Sequence, residues 1–448
     1  MKTLAQIAAK LQGYDPQAMT ADGVLDFLSR LVTPVQDMLE VPLMQALGRV
    51  LAENVVSPFD VPPHDNSAMD GYAFAGAQLT TSSALQLLVV GTALAGKAWQ
   101  GSVQPGQCIK IMTGAVMPAG LDTVVPQEFV AQQKLAETET ITIAPGLLQT
   151  GDNRRLRGED LMQGRAALFK GDLVTPARLG LAASLGLPTL KIWRPLRVAY
   201  FSTGDEILSL GDMPREGAVY DSNRYTVFGM LSRLGCEVID MGVVGDDPAL
   251  LEAAFTGAAA KADAIITSGG VSVGEADYTR TMMKKLGDVD FWRIAMRPGR
   301  PMAVGRISSN KSGVCAYSES PNSYFNDSKI NHALLFGLPG NPVAVMVTFL
   351  AFVRPALLQM MGVRLEADVL LKAHSMQAIR KKSGRTEYQR GRVSTAANGS
   401  LHVEIAGSQG SGVLRSMAEA NGLIVLNHAQ GNVAAGEEVD VLMFGGAA

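Results

Sequence analysis

Cysteine is scarce: Cys108, Cys236 and Cys315 are the only three in 448 residues. Odd in number and far apart, they suit neither a disulfide framework nor a Cys-rich zinc site, and they point to a reducing compartment. Net charge is nearly absent, with 39 Lys and Arg against 42 Asp and Glu, so no overall basic field exists to hold nucleic acid or an anionic membrane. Long apolar runs are lacking too. The longest, Val343 to Val353, is broken only by Thr348 and stops at Arg354 and Pro355, short of the ~18 residues that begin to suggest a membrane span. It reads as a buried helix. The N-terminus carries one early Lys but no continuous apolar core before a small-residue cleavage site, so no secretory signal is expected and a cytoplasmic location is. His64, His332, His374, His402 and His428 are scattered without helix spacing or a nearby Cys pair, which argues against a closed zinc site. Gly-x-Ser-x-Gly is missing. GTALAGK at 91–97 begins like a phosphate loop, but Ala98 stands where Ser or Thr is needed and no helix pattern follows.

What the chain does have is apolar content, 47% against 18% charged, enough for several buried cores, and a length suggesting about three domains at ~150 residues each. Helix-period positions (Val24, Leu25, Leu28, Leu31, then Val41, Leu43, Met44, Leu47, Val50, Leu51) predict a helical element over 21–57 that feeds the Pro- and Asp-rich SPFDVPPHDNSAMDG. The short β-like runs LQLLVV, QCIKIMTG, DTVVPQEFV and ETITIAP predict an inserted β domain over 58–158. Residues 159–194 return to helical and turn-like character, so a split N-terminal domain of helical and extended pieces is expected over 1–57 and 159–194. From 195 to 363 apolar strands alternate with amphipathic helices, predicting a doubly wound α/β domain with a mainly parallel sheet. Such sheets bind ligands outside the carboxyl ends of their strands, so STGDE, SGGVSVGEAD and GLPGNP are expected to line one crevice. Residues 307–331, rich in Ser and Asn, break the rhythm as a surface insertion does. Residues 364–448 read as a compact β unit.

Several residues can carry chemistry. Gly269, Gly270 and Gly274 let backbone amides approach an anion, and Ser268 and Ser272 add hydroxyls, with Glu275 and Asp277 trailing; a plain strand-to-helix turn capped by Asp277 is the alternative. Thr203, Gly204, Asp205 and Glu206 end another strand, followed by Asp221, Ser222 and Asn223. Together they can bind a ribose, a pterin edge or a hydrated Mg²⁺, or the last three only cap a helix. Pro339, Gly340, Asn341 and Pro342 form a rigid turn whose amides face a ligand or merely open a helix. Arg293, Arg297 and Arg300 in RIAMRPGRP are planar cations suited to oxyanions such as phosphate or molybdate, unless they are ordinary arginines of an edge strand. Asp65, Asn66, Ser67 and Asp70 make a turn-prone cluster suited to metal-bridging or water-activating acids. Thr113, Glu159 and Asp160 are ordinary turn residues until something brings them to a shared site.

The segments DNSAMDGYAF, KIMTGAVMPAGLDTVV, RGEDL, STGDE, DSNRYT, TSGGVSVGEADYT, FWRIAMRPGRP, LPGNPV and TEYQRGR follow one another in that order. As an ordered set they closely resemble the molybdopterin molybdenumtransferase family, whose animal relative is the C-terminal domain of gephyrin, from about residue 20 to the end. The resemblance implies an elongated homodimer of four-domain subunits. Its α/β domain would bind molybdopterin, its C-terminal domain would be β-barrel-like, and the partner's split N-terminal region would complete the cleft. It implies insertion of molybdate into adenylylated molybdopterin, with release of AMP and help from Mg²⁺. By matching position, Asp70, Thr113, Asp160 and Glu206 would be catalytic and Pro339 and Pro342 would line the substrate site. Asp246 and Asp277 would hold metal, and Arg385 and Ser411 would join the three arginines in binding molybdate. The upstream adenylyltransferase and downstream apo-molybdoenzymes are the implied partners. A divergent paralogue that binds pterin or nucleotide as a scaffold, without turnover, is the alternative on the same residues. Where the family often presents lysines, this chain has Arg293, Arg297 and Arg300.

Overall fold

The computed structural model describes residues 3–135, 138–271, 278–309, 332–364, 366 and 368–445. Ser272, Gly274, Glu275, Asp277 and residues 310–331 of the insertion lie outside them. The chain forms two compact units. Met1–Ala52, Gly171–Pro176 and Thr189–Ala448 make one, and Glu53–Lys170 with Ala177–Pro188 make the other.

The core of the first unit is a six-stranded sheet. In chain order its elements are β1 (Arg197–Thr203), α1 (Ser222–Arg233), β2 (Glu237–Val244), α2 (Pro248–Lys261), β3 (Ala264–Ser268), α3 (Tyr278–Leu286), β4 (Gly287–Arg293), β5 (Pro301–Ser308), β6 (His332–Leu338) and α4 (Pro342–Thr348). The strand order is β2-β1-β3-β6-β5-β4, with β2, β1, β3 and β6 parallel and β5 and β4 antiparallel to their neighbours. The expected doubly wound, mainly parallel sheet is present. Alternation along each strand feeds two cores: Val198, Tyr200 and Ile266 pack with Val227 and Val345, while Ala199, Phe201 and Ile265 pack with Phe255 and Met283. Helices on both faces explain why β3 is apolar or hydroxylic and buried at every position.

Sequence signals set the helix starts. Asp247 caps α2 by accepting from the amides of Ala249 and Leu250, both at 2.9 Å, and Pro248 follows at the first helical position. The apolar run after Asn341 is a buried helix, but it does not end at Pro355. A π turn at Phe349–Val353 follows α4 and leads into α5 (Arg354–Met360). The wider turn places Pro355 at the start of α5, where a missing N–H costs little. Pro342–Met360 is long and apolar enough to cross a membrane by length and composition, yet Val343, Val345, Val347, Phe352 and Val353 are all buried in this unit's core.

Residues 38–57 correct the sequence reading. The helix is Ala21–Leu31 alone; Met38–Pro42 is a strand paired with Thr189–Trp193, and Leu43–Ala46 is a single 3₁₀ turn. Pro34 and Pro42 deny the segment a helix interior, and the strand pairing then satisfies its backbone. Likewise 159–194 contains the strands Ala166–Leu168 and Thr189–Trp193 around one helix, Pro176–Ser184. Arg194 ties the paired strands Met38–Pro42 and Thr189–Trp193 to the sheet of their own unit. Its two terminal nitrogens donate to Asp263 at 2.7 Å each and its Nε to Asp37 at 2.7 Å, and these bonds hold its pKa above the ordinary arginine value.

The sheet's edge strand is covered by the N-terminal arm. Met19 N donates to the Arg293 carbonyl at 3.1 Å, Arg293 N to that of Pro16 at 2.8 Å, and Phe27 meets Trp292 edge to face at 4.9 Å. The C-terminal strands Leu371–Ser375, Thr386–Thr395, Leu401–Ile405, Gly422–Leu426 and Glu438–Met443 close on themselves, since Thr386–Thr395 pairs with both Leu401–Ile405 and Gly422–Leu426. This is a five-stranded barrel, and Met296–Arg297 adds a short strand beside Thr386–Glu387.

The second unit is built on a six-stranded sheet ordered Thr123–Pro126, Gly71–Phe74, Gln107–Ile111, Leu85–Ala93, Thr138–Ile143 and Val130–Leu135. Val55–Val56 pairs with Ala166–Leu168 and Asn66–Ser67 with Arg154–Arg155, which draws both flanks of the 58–158 stretch into the same unit. GTALAGK runs from the end of one of these strands into a tight turn bridged by Leu94 and Lys97.

Candidate functional site

β1, β3 and β6 are adjacent and level: Ser202 lies opposite Ser268, and Ser268 opposite Leu338. Three parallel strands ending in register send their loops off side by side. STGDE, the first part of SGGVSVGEAD and GLPGNP therefore meet, as the strand pattern predicts, and Glu206, Gly269, Gly270, Pro339, Gly340 and Asn341 line one crevice of about 620 Å³. Gly269 has φ +95°, and a Cβ there would stand 2.6 Å from the Thr203 carbonyl oxygen. Gly204 has φ +134°, and a Cβ would fall on the Glu206 carboxylate. Only glycine brings the backbone this close at both places.

Under the floor, Tyr200 Oη lies 2.7 Å from Ser268 Oγ and 2.9 Å from Ser202 Oγ. Burial raises the Tyr200 pKa far above the usual phenol value, so the hydroxyl stays protonated. Asp221 caps α1 by accepting from Arg224 N at 3.0 Å, and Asn223 Nδ2 donates to the Gly340 carbonyl at 2.7 Å, pinning the GLPGNP turn. Both are buried, and among the described residues Asp221 Oδ2 and Asn223 Oδ1 have no partner. Ser222 is the first residue of α1, and its carbonyl accepts from Thr226 Oγ1 at 2.9 Å. Pro342 opens α4, whose Val343 amide donates to the Ser411 carbonyl at 3.1 Å.

The arginines divide. Arg297 and Arg300 line the crevice, while Arg293, on the edge strand β4, faces a smaller cavity of about 230 Å³ that it shares with Arg300. From the barrel come Arg385, Gln409 and Ser411. Arg385 is aimed by Glu387, 2% exposed, whose Oε1 accepts from its Nε and Nη2 at 2.7 Å each. Asn341 Nδ2 donates to Ser411 Oγ at 3.1 Å, joining the wall to the floor. Glu387 and Gln409 escape sequence reasoning because strand Glu and loop Gln residues carry no motif, and burial along TEYQRGR falls on the adjacent pairs Thr386–Glu387 and Arg390–Gly391 rather than on alternate residues.

Asp205 Oδ1 accepts from the Asp246 amide at 3.1 Å, which brings these two acids to one corner near Glu206. Among the described residues no three His, Cys, Asp or Glu groups gather as a metal cluster. Asp205 is exposed and Asp246 half-buried, and two carboxylates without a closed cage leave room for a divalent cation that keeps its waters.

In the second unit the register Gly71 opposite Ile111 brings the residues just beyond each strand end together. Asp70 Oδ1 accepts from Thr113 N at 2.7 Å and Thr113 Oγ1 at 2.8 Å, and these two bonds, the amide first, lower the Asp70 pKa. Asp160 lies in the same unit, with its amide donating to the Val61 carbonyl at 3.1 Å.

A doubly wound sheet whose glycine-lined strand ends face a cluster of arginines defines a protein that binds a phosphorylated or oxyanionic ligand. Three sequence families match in turn: the MoeA N-terminal region (domain I and II) over 19–186, the "Probable molybdopterin binding domain" over 199–359, and the MoeA C-terminal region (domain IV) over 372–444. The molybdopterin molybdenumtransferase of Haemophilus influenzae is 40% identical over 90% of this chain and 93% of its own length, and that of a Nostoc species is 34% identical over 94% and 92%. A crystal structure of the molybdopterin biosynthesis MoeA protein from Pyrococcus horikoshii superposes with a TM-score of 0.71 at 28% identity, covering 96% of this chain and 100% of that one. The chain belongs to the molybdopterin molybdenumtransferase family.

Proposed function

We propose that the chain inserts molybdenum into molybdopterin, taking molybdate and adenylylated molybdopterin and returning molybdenum cofactor and AMP. The observation that carries this reading is the convergence of Arg297, Arg300 and Arg385 on the glycine floor of one 620 Å³ crevice. The forks of the three guanidiniums bind a tetrahedral oxyanion through several charge-assisted hydrogen bonds at once. The bare backbone at Gly269 and Gly270 lets a flat or phosphorylated ligand lie against the strand ends, and the Pro339–Pro342 turn, pinned by Asn223, holds the opposite side of the floor rigid. Glu206 places a carboxylate at the rim of the same floor. Asp205 and Asp246, with Asp277 outside the described residues, would hold Mg²⁺, which would offset phosphate charge when bound.

A cytoplasmic homodimer, supplied by an adenylyltransferase and serving apo-molybdoenzymes, completes the proposal. Asp70, Thr113 and Asp160 belong to it as groups that one protomer lends to its partner. A mixed dimer of Asp70→Ala and Glu206→Ala chains then regains one working cleft; activity at background level in the mixture removes that part. The reaction itself is tested by AMP release from adenylylated molybdopterin, with Mg²⁺ and with or without molybdate, alongside activation of an apo-molybdoenzyme. Molybdate-dependent release with activation is expected. Tight binding without turnover would overturn the proposal.

A further inference from the structure

Arg390 is 1% exposed, among the largest fully buried side chains in the protein. Its guanidinium meets no carboxylate among the described residues. Nε donates to Ser416 Oγ at 3.0 Å, and Nη2 to the carbonyls of Ser408 at 2.7 Å and Gly410 at 3.0 Å. Its backbone amide donates to Gln409 Oε1 at 2.9 Å, and Gln409 Nε2 returns a bond to the Arg390 carbonyl at 3.3 Å. Every one of these bonds but that to Ser416 ends on a single stretch, Ser408–Gly410, directly before Ser411. Gln409 and Ser411 line the crevice, and Ser411 carries its hold onward to Asn341 and to the first turn of α4.

Burying a cation with only carbonyls and a hydroxyl around it is expensive, and an apolar residue of similar length would fill the space at less cost. Desolvation, and next the charge of Arg297, push against its protonated state. The guanidinium is therefore kept for something packing alone does not supply. Its planar fork can bridge two loop carbonyls and a hydroxyl from fixed directions, which neither Lys nor an apolar side chain can do.

We propose that Arg390 is a positioning residue of the crevice, gathering the 408–411 loop by its carbonyls and so presenting Ser411 to the bound oxyanion, while the Gln409 amide, spent on the carbonyls of Arg390 and Ala406, locks the loop to the strand. This rests on the molybdenum-insertion reading only for the identity of the oxyanion; the loop-holding role stands apart from it. Arg390 touches no ligand itself and acts through the loop.

The test uses the full chain with Arg390→Lys, which keeps the charge but not the fork, and Arg390→Met, which removes both. The first readout is amide hydrogen exchange. Residues 406–413 should exchange at least about tenfold faster in both variants, with β3 and β6 unchanged. The second is the molybdate dependence of AMP release. The KM for molybdate should rise about tenfold in both variants while kcat at saturating molybdate changes less than about threefold. Ser411→Ala should raise KM in the wild-type background and add nothing further to Arg390→Lys. Wild-type exchange at 406–413 with an unchanged molybdate KM in Arg390→Lys would overturn the proposal. So would faster exchange throughout the barrel accompanied by a fall in kcat alone, which would make Arg390 a stability residue only. Should Arg390→Met not fold, Arg390→Lys carries both readouts. Should the wild-type chain release no AMP, the functional reading fails, and exchange at 406–413 alone decides whether Arg390 holds the loop.

Discussion

The floor and the wall of the crevice are held by different means. The floor rests on backbone: three parallel strands in register, glycines with no side chain, and a hydrophobic core on both faces of the sheet. The barrel wall rests on side-chain charge, with Glu387 aiming Arg385 and Arg390 gathering the loop that carries Gln409 and Ser411. Lys381 repeats the device below Arg385, its buried Nζ donating to the carbonyls of Arg385 and Gln430 at 2.7 Å each. Backbone placement gives precise position but little chemistry. Buried charge gives directed donors, at a desolvation cost that only full hydrogen bonding offsets. A site that must both seat a flat ligand and grip an oxyanion uses one means on each side.

If that contrast is right, the floor should fail by volume and the wall by charge. The largest effect is expected from Phe336→Ala. Phe336 is fully buried on β6, and the emptied space should cost about 3–5 kcal/mol, measured by urea unfolding. Gly269→Ala comes next. A positive φ together with a Cβ 2.6 Å from the Thr203 carbonyl should cost about 2–3 kcal/mol and lower AMP release at least a hundredfold. A Gly269→Ala chain with wild-type stability and turnover would break the account of the floor.

For the wall, Glu387→Gln keeps shape and removes charge. Arg385 is about one-third exposed, so the loss of its buried partner should cost only about 1–2 kcal/mol, below the figure for a fully buried pair. The sign of the kinetic change is the sharper result. Loss of aim should raise the molybdate KM about tenfold; had Glu387 merely diluted the positive field, its removal would lower KM. A fall in KM would separate Arg385 from the oriented wall described here.

The same contrast decides what the sequence shows. Strand and helix periodicity in 195–363 is long and regular, so the sheet, the level strand ends and the meeting of Glu206, Gly269 and Pro339 follow from pattern alone. The wall does not. Glu387 and Arg390 lie on one barrel strand and Arg385 just before it, and nothing local distinguishes a residue that grips a loop from one that faces water. Arg293, Arg297 and Arg300 read as one group, yet they fall on two cavities, because Arg293 belongs to the edge strand and Arg297 and Arg300 to the segment after it. Residues 41–51 show the limit from the other direction: their apolar spacing is compatible with a helix, but Val41 and Pro42 end a strand paired with Thr189–Trp193, about 150 residues away, and Leu43–Ala46 make only a 3₁₀ turn.

The smallest effect tests the two means of support within one pair. Asp70 is held by the Thr113 amide, a backbone donor, and by the Thr113 hydroxyl, a side-chain donor, and the amide is the stronger influence on its lowered pKa. Thr113→Val removes only the hydroxyl. In a carboxylate carbon NMR titration, the Asp70 pKa should rise part of the way toward the ordinary ~3.9 and stay below it, because the amide bond remains. The sign of the stability change follows. A carboxyl whose folded pKa is depressed contributes stability above its unfolded pKa and loses it as pH falls through the folded value. The wild-type advantage over Thr113→Val should therefore be complete at neutral pH, shrink below about pH 4 and vanish in stronger acid. A full return of Asp70 to the ordinary value would reverse the order of the two donors and, with it, the primacy of backbone support at this pair.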